Sequence, residues 1–393
     1  MPDSPTHRTA AAALDAALAD LDARSLRRTR RVLDSPQGAH VRIGARTLVN
    51  FSSNDYLGLA NDRRLRDAAH AAIDRYGFGA GASPLVSGNL RPHAQAEERF
   101  AAFVGAPRAL LFASGYAANL GILAALGGRD GEVFSDALNH ACLVDGARLA
   151  RGKVSVYPHG DVDALGELLA ASAATRKIVA SDAVFSMDGD IAPVAALVRL
   201  CERHDAWLVL DDAHGIGVLG AHGRGTLDHL GVRSERIVCM ATLGKALGGY
   251  GAFVTGPARV VEWLVQRART YIYSTALPPA VAAVASAAIE LLESDGAIVD
   301  RLHARIAAFR RACAEEALGL STSETAIHPL IVGAAETALA MSRALEDGGF
   351  LVPAIRPPTV PEGTSRLRVS LSAAHTSEEV RSLAAALARC RTR

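Results

Sequence analysis

Two neighbouring stretches decide how this chain folds. They are Trp207-Leu208-Val209-Leu210-Asp211-Asp212-Ala213-His214-Gly215 and Ala241-Thr242-Leu243-Gly244-Lys245-Ala246-Leu247-Gly248-Gly249. In the first, an apolar run ends in two acids and a histidine. In the second, the apolar run Ile237–Ala241 leads to a lysine boxed by small residues. Short apolar runs without polar alternation predict strands buried on both faces, as in parallel sheets. Asp211 and Lys245 stand 34 positions apart, about one strand–helix–strand crossover. Both then reach the same edge of one sheet, where doubly wound folds bind their ligands.

The same pattern extends outward. Ala109–Ala113, Val154–Tyr157 and Ile178–Ala180 are further apolar runs, each followed by turn residues and a helical stretch. Strands alternating with helices predict an α/β fold built on a mostly parallel, doubly wound sheet. Beyond about residue 276 the character changes. Pro278–Glu293 reads as a long Ala-rich connecting helix. The remainder reads as a smaller α+β domain with strands at His328–Val332 and Arg366–Leu371. At the other end, Leu14, Leu18 and Leu21 mark a helix over Ala11–Leu21, followed by the basic cluster Arg24, Arg27, Arg28, Arg30 and Arg31. The expected division is an N-terminal arm over 1–46, a large domain over 47–285 and a small domain over 286–393.

Composition narrows the function classes. Of 393 residues, 50% are hydrophobic and 21% charged, which supports a large buried core and excludes global disorder. A net charge of +1 argues against a nucleic-acid partner and against a polybasic membrane surface. Cys142, Cys201, Cys239, Cys313 and Cys390 are scattered and form no CxxC, so a zinc ribbon or disulfide framework is not expected and a reducing cytoplasm is. No apolar run reaches the ~20 residues of a membrane span. Met1–Arg8 is polar and leads into no apolar signal core.

Chemistry enters through five motifs. A lysine at a strand end, surrounded by small residues, can reach an aldehyde cofactor and form a Schiff base. Gly244-Lys245 by itself also fits an ordinary helix start, and no Walker A spacing is present. Asp211 is placed to pair with a pyridinium nitrogen. It equally fits a helix cap, or a metal site with His214, His222 and His229, although these histidines lack helical i, i+4 spacing. In Leu111-Phe112-Ala113-Ser114-Gly115-Tyr116-Ala117-Ala118-Asn119 a strand turns through Ser-Gly into a helix, whose free N–H groups suit a phosphate. Asn139-His140-Ala141 and the turn Val184-Phe185-Ser186-Met187-Asp188-Gly189-Asp190 complete the set. Gly215-Ile216-Gly217-Val218-Leu219-Gly220 spells a dinucleotide fingerprint. It follows Asp-Asp-Ala-His rather than a strand end, so the spelling is taken as chance.

In this order the motifs resemble pyridoxal-phosphate enzymes of fold type I, and among them the α-oxoamine synthases. Asn50-Phe51-Ser52-Ser53-Asn54-Asp55-Tyr56-Leu57-Gly58 and Arg356-Pro357-Pro358-Thr359-Val360-Pro361-Glu362-Gly363-Thr364-Ser365-Arg366-Leu367-Arg368 carry the resemblance to that subgroup. It runs from about Leu26 to His375. It implies pyridoxal 5'-phosphate as cofactor. Lys245 matches the lysine that holds it, and Asp211 matches the partner of the ring nitrogen. His214 and Ser186 match residues on the phenolic oxygen. Gly115, Tyr116 and Thr242 match the cofactor and phosphate cradle, and His140 matches the histidine stacked on the ring. Arg27, Thr359, Asn54 and Arg356 match substrate contacts.

The resemblance further implies a decarboxylative condensation of L-alanine with a pimeloyl thioester, carried by acyl carrier protein or coenzyme A, in the making of biotin. It implies a homodimer in which Ser274 and Thr275 reach the partner's phosphate. The alternative within the family is glycine C-acetyltransferase. Three positions depart from the family's pattern. Asp182 stands where relatives often carry Glu, Gly249-Tyr250-Gly251 follows the lysine, and Ser83-Pro84-Leu85 replaces the Arg-Asn pair of aminolevulinate synthases.

Overall fold

Every apolar run picked out above becomes a strand or the heart of one. The computed structural model describes residues 9–320 and 323–391. Met1–Arg8, read above for a signal core, lie outside the described residues. A hairpin of β1 (His40–Ile43) and β2 (Arg46–Asn50) comes first. The central sheet follows, with β3 (Arg108–Phe112), β4 (Gly131–Asp136), β5 (Lys153–Tyr157), β6 (Arg176–Asp182), β7 (Ala206–Asp211), β8 (Ile237–Thr242) and β9 (Ala252–Gly256). Its order is β3-β9-β8-β7-β6-β4-β5. Only β9 runs against its neighbours β3 and β8, so the sheet is mostly parallel, as expected.

Strands β6, β7 and β8 lie at the centre and are buried almost throughout. That is why their sequences read as unbroken apolar runs. Val154–Tyr157 departs from the same expectation. Strand β5 is the sheet's edge and leaves Val154 and Val156 open to solvent. Strand β4 hid in the sequence because Gly131-Glu132-Val133 places an acid in its middle. In the fold Glu132 is buried, and it is compensated by Lys153 Nζ at 2.7 Å and by the hydroxyls of Ser155 and Ser172, each at 2.6 Å.

The helix Pro279–Ser294 packs against the helices Arg63–Tyr76 and Arg91–Val104 on one face of the sheet. It leads into the C-terminal part, where β10 (Ile327–Gly333), β12 (Ala354–Ile355) and β13 (Ser365–Ser370) form an antiparallel sheet in the order β10-β13-β12. Between them in sequence, β11 (Phe350–Leu351) pairs in parallel with β2 and joins the N-terminal hairpin to this part. The N-terminal helix forms over Ala10–Ala23, capped by Thr9, but none of its residues is buried. Its leucines 14, 18 and 21 face outward.

Under the sheet, Phe100 of the helix Arg91–Val104 stacks on Phe253 of β9, with ring centroids 4.0 Å apart and planes 10° from parallel. Both rings are essentially inaccessible to water. Removing a buried phenyl ring costs its transfer free energy plus a cavity. Phe253→Ala is expected to lower unfolding stability by ~3–5 kcal/mol. Denaturant titration reads this as a lower midpoint at unchanged slope.

Candidate active site

The carboxyl ends of β6, β7 and β8 and the turn after β3 converge on one cavity of about 170 Å³. Asp211 is the last residue of β7, and Lys245 follows three positions after the end of β8. The crossover spacing therefore does bring both to one sheet edge. Gly115, Tyr116, His140, Ser186, His214 and Thr242 line the same cavity.

Lys245 Nζ lies 2.7 Å from His214 Nε2, and His214 Nδ1 lies 2.7 Å from the Tyr56 hydroxyl. Burial lowers the Lys245 amine to about 8, and the nearby Arg368 charge acts in the same direction. Burial also drives His214 well below its usual range, helped by the Lys245 charge, so the imidazole is neutral. Thr242 fixes the turn that presents the lysine. Its hydroxyl donates to Gly251 O at 3.1 Å and accepts from Gly244 N–H at 3.2 Å.

Asp211 is buried and doubly held. Asn119 Nδ2 donates to its Oδ2 at 2.7 Å, and Ala213 N–H donates to its Oδ1 at 2.9 Å. Asp182 stands directly opposite on β6 and lines the cavity. Burial, together with the Asp211 charge, raises its carboxyl well above the ordinary range. His140 caps the helix Ala141–Leu149, with its Nδ1 accepting from Cys142 N–H at 3.2 Å, and its own N–H donates to Asp182 at 2.9 Å. Burial keeps its imidazole below the normal value.

On the opposite wall, Ser114 caps the helix Gly115–Leu126 by accepting from Ala117 N–H. The amides of Gly115 and Tyr116 find no acceptor among the described residues. They point from a helix N-terminus, the backbone arrangement that suits a phosphate. The Tyr116 hydroxyl itself turns to Asp145.

Arg27, Arg356 and Thr359 gather elsewhere. Arg27 is half-exposed and pairs with Asp22 at 2.6 Å. Thr359 accepts from Arg28, not Arg27, at 3.0 Å. Arg356 donates to the carbonyls of Ser25 and Arg27. None of the three lines the cofactor-sized cavity. They form a seam between the N-terminal segment and the 356–362 loop, closed by Arg24 on Glu362 at 2.9 Å. Asn54 links inward instead. Its Oδ1 accepts from Arg368 at 3.1 Å and from the Tyr56 hydroxyl at 3.0 Å. The histidines of the metal alternative also part company, since His222 lies against Gly296 and His229 faces Glu324.

Sequence reasoning missed Tyr56, Asn119, His159 and Arg368. Arg368 is the most telling. Its guanidinium is buried, yet it meets only neutral acceptors: Ser186 O, Asn54 Oδ1, Ser370 Oγ and the Tyr56 hydroxyl. The available signal was a pair of arginines, Arg366 and Arg368, alternating with Leu367 and Val369 in a strand. His159 clamps the turn that carries Ser186. Its Nδ1 meets Asp136 and its Nε2 meets Asp190, both at 3.0 Å, and its ring sits edge-on to Phe185.

The fold and this edge define a fold type I pyridoxal-phosphate transferase, and the comparisons agree. A family model described as aminotransferase class I and II matches residues 46–387. An 8-amino-7-oxononanoate synthase of Janthinobacterium sp. is 52% identical over 382 residues, covering 96% of this chain and 97% of its own. One of Burkholderia pseudomallei is 53% identical over 385 residues, with the same coverage. The chain belongs to the 8-amino-7-oxononanoate synthase family within aminotransferase class I and II.

Among solved structures, a serine palmitoyltransferase of S. paucimobilis with PLP and myriocin bound superposes with a TM-score of 0.91 at 28% identity, covering 97% of both chains. An 8-amino-7-oxononanoate synthase of Francisella tularensis gives 0.76 at 30%, covering 87% of this chain and 97% of its own. The donor set here fits pyridoxal phosphate. An amine poised near neutrality, a buried carboxylate and two free helix amides surround one cavity.

The His159 clamp has a pH signature. Its two carboxylate partners raise the imidazole to about 10. The unfolded value is ~6.5. A raised folded value contributes stability that is complete below about pH 6.5 and declines until it is gone above about pH 10. His159→Ala is therefore expected to destabilise strongly at pH 6 and weakly at pH 10. Thermal melts of both proteins across that range check it.

Proposed function

We propose that this chain condenses L-alanine with a pimeloyl thioester, releasing carbon dioxide and the thiol carrier and giving 8-amino-7-oxononanoate. What carries the reading is the cavity in which Lys245, Asp211 and the amides of residues 115 and 116 face one another, in a chain 52–53% identical to named synthases. The acyl carrier is acyl carrier protein or coenzyme A. The setting is cytoplasmic, in keeping with buried cysteines 142, 201, 239 and 313, none of which forms a disulfide. The working form is a homodimer. Phe78, Val86, Tyr250 and Tyr273 each stand more than half exposed, large apolar side chains that a second subunit would cover.

Bound pyridoxal phosphate supplies an electrophilic aldehyde and a protonated ring that takes up the electron pair released at the amino acid's α-carbon. The protein does the rest. Lys245 Nζ, lowered to about 8, is the amine that would hold the cofactor, and as a free amine it would take the α-proton as general base. Asp211, anchored by Asn119 and Ala213, keeps the ring nitrogen protonated. His214 is neutral and fixed through Tyr56, and with Ser186 it hydrogen-bonds the phenolic oxygen. The Gly115 and Tyr116 amides would hold the phosphate, beside Thr242. His140, on the same cavity wall, would hold the ring. Arg368, a buried cation lacking an anion, binds the alanine carboxylate. Arg27, Thr359 and Arg356 contact the acyl substrate at the N-terminal seam, and Asn54 tethers Arg368.

Assaying products from alanine or glycine with pimeloyl or acetyl thioester tests the reaction. Alanine with pimeloyl thioester is expected to give the highest kcat/KM. A preference for glycine with acetyl-coenzyme A would overturn it.

Three substitutions test the roles. Lys245→Ala should abolish borohydride trapping of cofactor on the peptide containing residue 245, and trapping at another lysine would refute the assignment. Asp211→Asn removes one charge of a buried pair, worth ~3–5 kcal/mol, so turnover should fall by ~two to four orders of magnitude. Arg368→Gln should raise the KM for alanine ~10–100-fold, the loss of charge-assisted hydrogen bonds, and leave the KM for the thioester nearly unchanged.

A further inference from the structure

His140 can offer a substrate a donor or an acceptor, according to which ring nitrogen carries its proton. The start of the helix Ala141–Leu149 decides between them. His140 Nδ1 accepts from the Cys142 amide at 3.2 Å, so the neutral imidazole has its proton on Nε2. Nε2 meets no group among the described residues and is left for the cavity that His140 lines. A second contact falls on Nδ1. The buried thiol of Cys142, itself on the cavity wall, stands 2.8 Å from that nitrogen.

The thiol has three polar neighbours and one proton. Asn119 Nδ2 lies 3.1 Å from Sγ and 2.7 Å from Asp211 Oδ2, so the two N–H bonds of one amide serve the sulfur and the carboxylate. Asp211 Oδ2 is 3.8 Å from Sγ, farther than His140 Nδ1. With Asn119 donating to the sulfur and Nδ1 the nearer acceptor, the S–H bond points to Nδ1. Burial and the Asp211 charge push the thiol up to about 12, so it stays a donor at neutral pH. A chain of hydrogen bonds therefore links Asp211 at the end of β7 to Asn119, Cys142 and His140, which lie on two different helices.

We propose that Cys142 is a positioning residue, whose thiol holds His140 in the Nε2–H tautomer and ties its ring to the Asp211–Asn119 pair. His140 then presents a hydrogen-bond donor, not a base, to an oxygen of the substrate. The inference rests on reading this cavity as the pyridoxal-phosphate site. It agrees with Lys245 as the base, since the one basic nitrogen of His140 is turned inward and occupied. A hydroxyl at position 142 would serve as the thiol does, and a methyl group would not.

Nitrogen-15 resonances of the histidine-labelled holoenzyme, with His140 assigned by its loss in His140→Gln, report the tautomer with no change at position 142. The Nε2–H form is expected, and the Nδ1–H form overturns the proposal. Cys142→Ala removes one donor to the neutral ring. The apparent pKa of His140 is then expected to rise by roughly 0.5–1 pH unit, the worth of one hydrogen bond. Cys142→Ser, which keeps a donor, is expected to restore the wild-type titration. The charges facing the imidazole, Asp211 and Lys245, and Asp182 at its amide, are common to all three proteins. Equal titration of the alanine, serine and wild-type proteins would reduce Cys142 to packing and overturn the proposal. Failure of the protein to gain cofactor absorbance on reconstitution would instead overturn the reading of the site, with the tautomer still measurable.

Discussion

Two carboxyl groups, Asp182 and Asp211, end adjacent parallel strands in direct register, and the rest of the site depends on how that pair shares its charge. Both are buried, and like charges this close cannot both remain ionised. Asp211 accepts hydrogen bonds from Asn119 and from Ala213 N–H, whereas Asp182 accepts from the His140 amide. The proton accordingly stays on Asp182, whose carboxyl is raised by burial and by the Asp211 charge. Sheet register thus sets Asp211, held by Asn119 and Ala213, beside Asp182 at the floor of the cavity. It also leaves Lys245 a nearby negative charge that resists, without cancelling, the downward pull of burial on its amine.

A second constraint crosses between the two halves of the molecule. Arg368 belongs to β13 of the C-terminal sheet, yet it reaches Ser186 O on the turn after β6 and the Asn54–Tyr56 segment after β2. Arg366, two residues earlier on the same strand, holds Asp188 of that same turn. His159 holds it from the other side through Asp190. The turn carrying Ser186 is therefore gripped by three basic side chains, two from β13 and one from the loop after β5. Its position is set by long-range contacts rather than by the Asp-Gly sequence alone.

Much of this was legible in the sequence, for a physical reason. Central parallel strands are buried on both faces, so β6, β7 and β8 announce themselves as apolar runs, and the residues just beyond their ends fall at the ligand-binding edge. Lys245, Asp211, His214, Ser186 and the turn carrying Gly115 and Tyr116 were found that way, whereas His140 follows a strand that escaped and took its role from the family resemblance; all of them line one cavity. Strand β4 escaped because its buried Glu132 is neutralised by partners 21 to 40 residues further along the chain. Tyr56, Asn119 and Arg368 escaped because each acts through a partner distant in sequence: His214 for Tyr56, Asp211 for Asn119, and Asn54 with Tyr56 for Arg368. The arginine cluster shows the converse. A run of like residues identifies the segment, but only the fold assigns Asp22 to Arg27 and Thr359 to Arg28.

Arg368 also shows where stability and function diverge. Burying a guanidinium among neutral acceptors costs several kcal/mol more than burying a leucine of similar reach, because no counter-charge offsets the lost hydration. Ser186 O, Asn54, Ser370 and Tyr56 satisfy its N–H groups geometrically but leave its charge uncompensated. A sequence selected for stability alone would replace it. Places that break the packing rules while the surrounding structure supports them are where function is expected. An α-amino acid brings the missing carboxylate with it, so the electrostatic deficit of the free protein becomes binding energy directed at the substrate.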